Sequence, residues 1–303
     1  MTKNLIVILG PTASGKTALA VRLAADFQGE VISADSRQAY RGMDIGTGKD
    51  LSEFRTDSGI IPYHLIDVLE PDQEFNVFEF QKQFYGIFDV LQKRHILPVL
   101  VGGTGLYLES VLTEYILPQA GPDTRLREEL AGKSQTELQE ILLSMKPDLH
   151  NKTDLEMRDR LIRKIEIEKA RQNQSGDKPQ RPRIQAGVFG IHWEMTVLRR
   201  RIAARLEKRI NEGMIEEVSR LHNQGLSWER LDSFGLEYRY IARYLQSGIT
   251  KDEMTQKLQI AIGQFAKRQM TWFRRMEKKG VLIEWISGDD YPALHHRVLE
   301  ILS

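Results

Sequence analysis

Short, mostly apolar runs punctuate the first hundred residues of this chain. Leu5–Leu9, Val31–Ala34 and Ile96–Val101 predict strands buried on both faces, and Ile60-Ile61 with His64–Val68 brackets another. Between them the apolar period changes from continuous to helical. Phe75–Lys93 places Phe80, Phe84, Ile87, Phe88 and Leu91 on one face and predicts a helix. Strands separated by helices imply a parallel sheet with right-handed crossovers, whose ligands bind at the carboxyl ends of the strands. From Leu117 to Pro182 the pattern becomes charged and helical, with Thr136–Leu143 and Glu156–Ala170 as helices and Gln172–Pro182 as a loop by composition. Ile184–Ile191 then returns as an apolar strand. Val197–Asn211, Ile215–Asn223, Tyr238–Gln246 and Lys251–Lys278 follow as helices. The expected organisation is a core of residues 1–116 plus 183–303 with a helical insert at 117–182.

Residues 10–17, GPTASGKT, change the picture from fold to chemistry. They follow the first strand and open a helix, Ala18–Ala24 being good helix formers, and they have the P-loop spacing G-x-x-x-x-G-K-[ST]. Such a loop turns backbone N–H groups toward phosphate oxygens at a positive helix end. Lys16 reaches the terminal phosphates and Thr17 offers its hydroxyl to Mg²⁺. The fold class expected is therefore α/β, a P-loop NTPase-like parallel sheet core with a mostly helical insert and a helical C-terminal region. The motif predicts a bound di- or triphosphate without saying which.

Charge and composition narrow the partners. There is no cysteine, so disulfide frameworks and thiolate metal sites are excluded. No apolar stretch approaches membrane-spanning length, and a cytoplasmic location, without membrane, is expected by exclusion. The net charge of +1 argues against indiscriminate nucleic-acid binding. The cations are clustered, however. Arg199, Arg200, Arg201, Arg205, Lys208 and Arg209 form one group, and Lys267, Arg268, Arg274, Arg275, Lys278 and Lys279 another. Two basic stripes on a near-neutral protein suit a polyanion on one face, although a solvated helix surface has the same composition.

Other residues could carry chemistry. Asp35 follows the second strand and faces the loop, as a metal ligand, a general base or a turn cap. Asp67, after His64-Leu65-Ile66, is a metal-aspartate candidate or a turn residue. Gly102–Tyr107 is a second glycine-rich turn that could bring N–H groups and the Thr104 hydroxyl to a phosphate, or simply start a helix. In Gln264–Arg274, Lys267, Arg268, Thr271 and Arg274 share one helix side, and Phe265, Trp272 and Phe273 anchor the helix or stack on bases.

Taken in order, these blocks resemble the bacterial tRNA dimethylallyltransferases (tRNA isopentenyltransferases). The matching pieces are GPTASGKT at 10–17, DSRQAYRGMDIGTGK at 35–49, HLID at 64–67, GGTGLY at 102–107, RLIRKIEI at 160–167, EGMIEEV at 212–218 and QFAKRQMTWFR at 264–274. The resemblance implies transfer of a dimethylallyl group from dimethylallyl diphosphate to N6 of adenosine 37 in tRNA, with release of diphosphate. It implies that Gly10, Thr12, Ala13, Ser14, Gly15, Lys16 and Thr17 hold the diphosphate, Thr17 with Mg²⁺. Asp35 is then the general base, Thr104 lies near the bridging oxygen, and Arg205 adds positive charge. Ser36, Gln38, Lys267, Arg268 and Arg274 are expected at the tRNA anticodon stem-loop, which the insert and basic helices clasp. A monomer is expected.

The chain departs from the family pattern in three places. Gly48-Lys49-Asp50 stands for a common Ala-Lys-Pro, Arg163-Lys164-Ile165-Glu166 for Arg-Ala-Leu-Glu, and Gly235-Leu236-Glu237-Tyr238-Arg239 for a frequent Gly-Tyr-Lys/Arg-Glu. Three rival readings remain at this level: a P-loop small-molecule kinase using ATP, a prenyltransferase of free adenine nucleotides, and a non-catalytic, nucleotide-regulated RNA-binding protein.

Overall fold

A computed structural model describes residues 3–57, 59–113, 123–146, 158–173 and 181–303. The chain divides into two compact units, Met1–Tyr115 with Pro182–Ser303, and Ile116–Arg181.

The larger unit is built on a parallel sheet. Its strands among the described residues are β1 (Leu5–Leu9), β2 (Glu30–Ser33), β5 (Tyr63–His64), β6 (Pro98–Gly102), β7 (Ala186–His192) and β8 (Glu284–Ser287), in the order β5-β2-β6-β1-β7-β8. β3 (Arg55–Thr56) and β4 (Gly59–Ile60) form a separate antiparallel pair. β1 is buried on both sides. Leu5, Val7 and Leu9 join one apolar cluster with Phe80, Phe84 and Phe88, while Ile6 and Ile8 join another with Leu19, Leu23 and Leu294. That is why the strand reads as a continuous apolar run rather than an alternating one. β1 lies between β6 and β7, so the chain leaves it toward β2 and later returns on its other side. This is the kind of switch point at which α/β sheets bind ligands.

The helices start where capping chemistry allows. Asn76 accepts hydrogen bonds from the N–H groups of Phe78 and Glu79 and opens Val77–Lys93. Thr250 and Glu253 form a capping box at the start of Lys251–Lys278. Two expectations are corrected. The strand read at His64–Val68 stops at His64, because Leu65 and Asp67 adopt positive φ of 62° and 54° and turn the chain away from the sheet. The Ile60-Ile61 segment belongs to the small hairpin instead. The sequence reading also missed β8 and the final helix Tyr291–Leu302, which Asp290 caps through the Ala293 N–H.

The smaller unit packs Thr124–Ala131, Gln135–Met145 and Arg158–Asn173 around Leu126, Leu130, Leu138, Leu142, Leu161 and Ile165. Glu166 is buried in it and accepts from the Asp123 N–H and from Arg127 and Arg163. The departure Arg163–Glu166 therefore lies partly in this unit's interior: Ile165 is core and Glu166 ties two helices together. Most of the loop expected at Gln172–Pro182 falls outside the described residues.

Candidate active site

β1 runs straight into the phosphate loop, and Gly15, at φ 86°, caps the helix Lys16–Asp26. The amides of Lys16 and Thr17 stand in the first turn, where no intrahelical acceptor exists. The loop is braced from outside. The Trp193 indole N–H donates to the Ser14 carbonyl (2.9 Å), and Arg201 Nε donates to the Ala13 carbonyl (2.9 Å). The Thr12 N–H is taken by Gln269 Oε1 (2.8 Å), and the same amide group donates through Nε2 to the Gly103 carbonyl (2.9 Å). Gln269 is buried, and a Cβ on Gly103 would come within 2.3 Å of its Nε2, so the second glycine turn is partly a packing surface for this side chain. Ser14 Oγ is buried and has no partner among the described residues.

The helix Met195–Asn211 lays Arg201, Arg205 and Arg209 along one face at four-residue spacing, and all three line the cavity beside Lys16 and Thr17. Arg205 donates to Thr12 Oγ1. Burial pulls the Lys16 ammonium down to about 8, with Asp35 opposing and Arg205 reinforcing the shift. Burial, reinforced by Arg209, brings the Arg205 guanidinium down to about 10. A cavity that disfavours its own cations is one that an anion stabilises. The first basic cluster is thus divided. Arg201, Arg205 and Arg209 serve this cavity, while Arg199, Arg200 and Lys208 are exposed.

Asp35 follows β2 and lines the same cavity, and it also lines a second one formed by Ser36, Thr104, Leu106, Phe265, Arg268 and Trp272. Its Oδ1 accepts the Arg37 N–H (3.1 Å). Thr104 Oγ1 accepts the Ser36 N–H (3.2 Å), which leaves the Thr104 hydroxyl hydrogen to donate. Trp272 Nε1 is buried without a partner among the described residues. Phe273, by contrast, is core. Gln38 spans Ser33 Oγ (2.8 Å) and the Gly48 carbonyl (3.0 Å), so both ends of its amide are engaged within the protein.

Gly46, Thr47 and Gly48 also line the first cavity. They are held by Glu217, which is buried and accepts the N–H groups of Asp44, Ile45 and Gly46 at 2.8, 2.8 and 3.0 Å and the Tyr238 hydroxyl at 2.7 Å. Lys49, also buried, donates to Asp44 (2.8 Å), Asp67 and the Tyr40 carbonyl. Asp67 is therefore the counter-charge of Lys49 and is not among the residues lining the phosphate cavity. Sequence reasoning missed Glu217 and Gln269. Glu217 had a signal: it falls on the apolar stripe Met214, Val218 and Leu221, where an acid implies an internal partner. Glu217→Leu strands three backbone donors and a phenol, and is expected to cost on the order of 3 kcal/mol of stability. Urea unfolding at fixed pH measures it, and a loss under about 1 kcal/mol contradicts the bracing role.

The second basic cluster is divided as well. Arg275 (2.6 Å) and Lys279 pair with buried Glu109, fixing the helix Lys251–Lys278 to Gly105–Leu112. Lys267, Arg268 and Arg274 are exposed and make no ion pair among the described residues.

A parallel sheet with a P-loop at its carboxyl edge and a row of arginines beside that loop defines a protein of the P-loop class. The sequence matches the family described as IPP transferase over residues 38–276 and isopentenyl transferase over residues 3–57. It is 55% identical over 299 residues to tRNA dimethylallyltransferase 1 of Syntrophus aciditrophicus, covering 98% of each chain. The crystal structure of the full-length tRNA isopentenylpyrophosphate transferase of Bacillus halodurans is similar at a TM-score of 0.72 and 30% identity, over 99% of this chain and 97% of that one. A eukaryotic dimethylallyltransferase, captured acting on tRNA, shares the fold at a TM-score of 0.77 and 21% identity, over 95% of this chain and 75% of that one. The chain belongs to the IPP transferase family and is a transferase with its P-loop fold.

Proposed function

We propose that this protein transfers a dimethylallyl group from dimethylallyl diphosphate to N6 of adenosine 37 in tRNA, releasing diphosphate. The observation that carries the reading is the position of Asp35 on the wall common to two cavities. One is lined by the phosphate loop and cations, and suits a diphosphate. The other, with Phe265 and Trp272, suits an unstacked base. The bond from the prenyl carbon to the bridging oxygen breaks as the carbon–nitrogen bond forms. The proton lost by the exocyclic amine passes to the Asp35 carboxylate. Lys16, Arg205 and the loop amides stabilise the charge left on the diphosphate, and Thr104 donates its hydroxyl hydrogen toward the bridging oxygen.

The donor set also suits Mg²⁺. Thr17 and nearby carboxylates supply hard oxygens, and no group of three acids or histidines forms a protein-only cage among the described residues. Thr17 would hold the ion together with substrate phosphates, and the ion would offset charge on the leaving group. Gly10, Thr12, Ala13, Ser14 and Gly15 shape the loop around it. A kinase reading explains neither the aromatic cavity nor the exposed cations beside it.

Lys267, Arg268 and Arg274, with Ser36 of the second cavity's lining, are assigned to the anticodon stem-loop, and the unit at 116–181 to the same RNA. The protein works as a monomer in the cytoplasm. No described helix is long and apolar enough to cross a membrane. Replacing Lys267 and Arg268 by Ala is expected to lower the salt dependence of stem-loop binding by about two units of log–log slope, leaving dimethylallyl diphosphate binding intact. Titrations at several salt concentrations test this, and identical slopes remove this face from the RNA. The function itself is tested by incubation with tRNA and dimethylallyl diphosphate, followed by nucleoside mass analysis. Prenylated adenosine from tRNA and none from AMP is expected. Product from AMP alone, or phosphoryl transfer from ATP, overturns the reading.

A further inference from the structure

Arg209 is a cation of the diphosphate cavity that already holds an anion. Its side chain is 6% exposed and ends 3.1 Å from Asp50 Oδ2. To get there it crosses Gly48, where an added Cβ would lie 1.9 Å from Arg209 Nη2. Gly48 and Asp50 both have positive φ, 68° and 36°, so the turn around Lys49 is shaped to present the Asp50 carboxylate to this guanidinium. Gly48, Asp50 and Arg209 line the same cavity as Lys16, Thr17 and Arg205. Glu53, whose N–H donates to the Asp50 carbonyl (2.8 Å), lines it too, as do Asp35 and Glu237, but among these acids it is Asp50 that pairs with Arg209. Lys16 and Arg205 both feel the charge of Arg209.

A cavity built to stabilise charge developing on a leaving diphosphate has an intrinsic fault. The ester enters with one oxygen alkylated, and the product leaves with that oxygen bare and more negative. Complementarity to the transition state therefore extends to the product, whose release then limits turnover. A carboxylate on the cavity wall, as Asp50 is with 43% of its side chain exposed, counters this by competing for a cation, and it repels the more charged species more strongly.

We propose that Asp50 is an internal competitor of the diphosphate: by holding Arg209 it weakens the grip on the released product and speeds its departure. The proposal rests on the reading of this cavity as a diphosphate site.

The probe is inorganic pyrophosphate, titrated calorimetrically into the full-length protein. Asn has the shape of Asp and tolerates the left-handed backbone, so Asp50→Asn keeps the turn. It is expected to lower the Kd for pyrophosphate about tenfold and to cut steady-state turnover more than the single-turnover rate. Asp50→Glu, which keeps the charge, is expected to bind pyrophosphate as the wild type does. If Asp50 only braces Arg209, Asp50→Asn binds pyrophosphate equally or more weakly, and the proposal is overturned. A wild-type protein that binds no pyrophosphate overturns the cavity reading as well.

Discussion

Asp35→Asn is expected to slow prenyl transfer by about a hundredfold or more while tRNA affinity is kept, the loss typical of a missing general base. The amide has the shape of the carboxylate, and its oxygen can still accept the Arg37 N–H that Oδ1 takes at 3.1 Å. It cannot take the proton from the exocyclic amine. Single-turnover rates with saturating tRNA isolate the chemical step. A near-normal rate reduces Asp35 to the cap of its own turn.

Lys16→Ala is expected to weaken dimethylallyl diphosphate binding by about ten- to a hundredfold, the worth of one charge-assisted hydrogen bond. Arg205 remains beside Thr12, so binding is weakened rather than abolished. The same side chain sets a pH dependence. Burial has brought the Lys16 ammonium down to about 8, whereas a bound diphosphate favours its charged form. As pH rises above about 8 the free protein loses the proton first, and binding must restore it. Affinity is therefore expected to fall by up to about tenfold per pH unit above that value. Lys16→Ala removes that component. Calorimetric titration of both proteins at pH 7, 8 and 9 checks it, and equal pH dependence contradicts the assignment.

The sequence alone determined the elements whose signals are local. The loop at 10–17 needs only its own glycines, Lys16 and Thr17, so strand, loop and helix were readable together. Phe80, Phe84, Phe88 and Leu91 fixed a helical face by period, and Lys251–Lys278 was read as one long helix with the bounds it has in the fold. Asp35 was placed by following a strand. Short or bent segments were not readable. β5 is cut to Tyr63–His64 where Leu65 and Asp67 take positive φ, and Asp67 there pairs with Lys49, 18 residues away in sequence.

Only the tertiary structure decided how the charges are used. Arg199 to Arg209 looked like one basic stripe, but a helix has several faces. One of them carries Arg201, Arg205 and Arg209 to the cavity beside Lys16 and Thr17 and leaves Arg199 and Arg200 exposed. Arg275 and Lys279 looked equivalent to Lys267 and Arg268 until buried Glu109 claimed them. Gln269 and Glu217 act through backbone groups 257 and 171–173 residues away in sequence. Such contacts leave no trace in local composition, because backbone donors and acceptors are present at nearly every residue and the fold alone selects which of them meet a buried side chain.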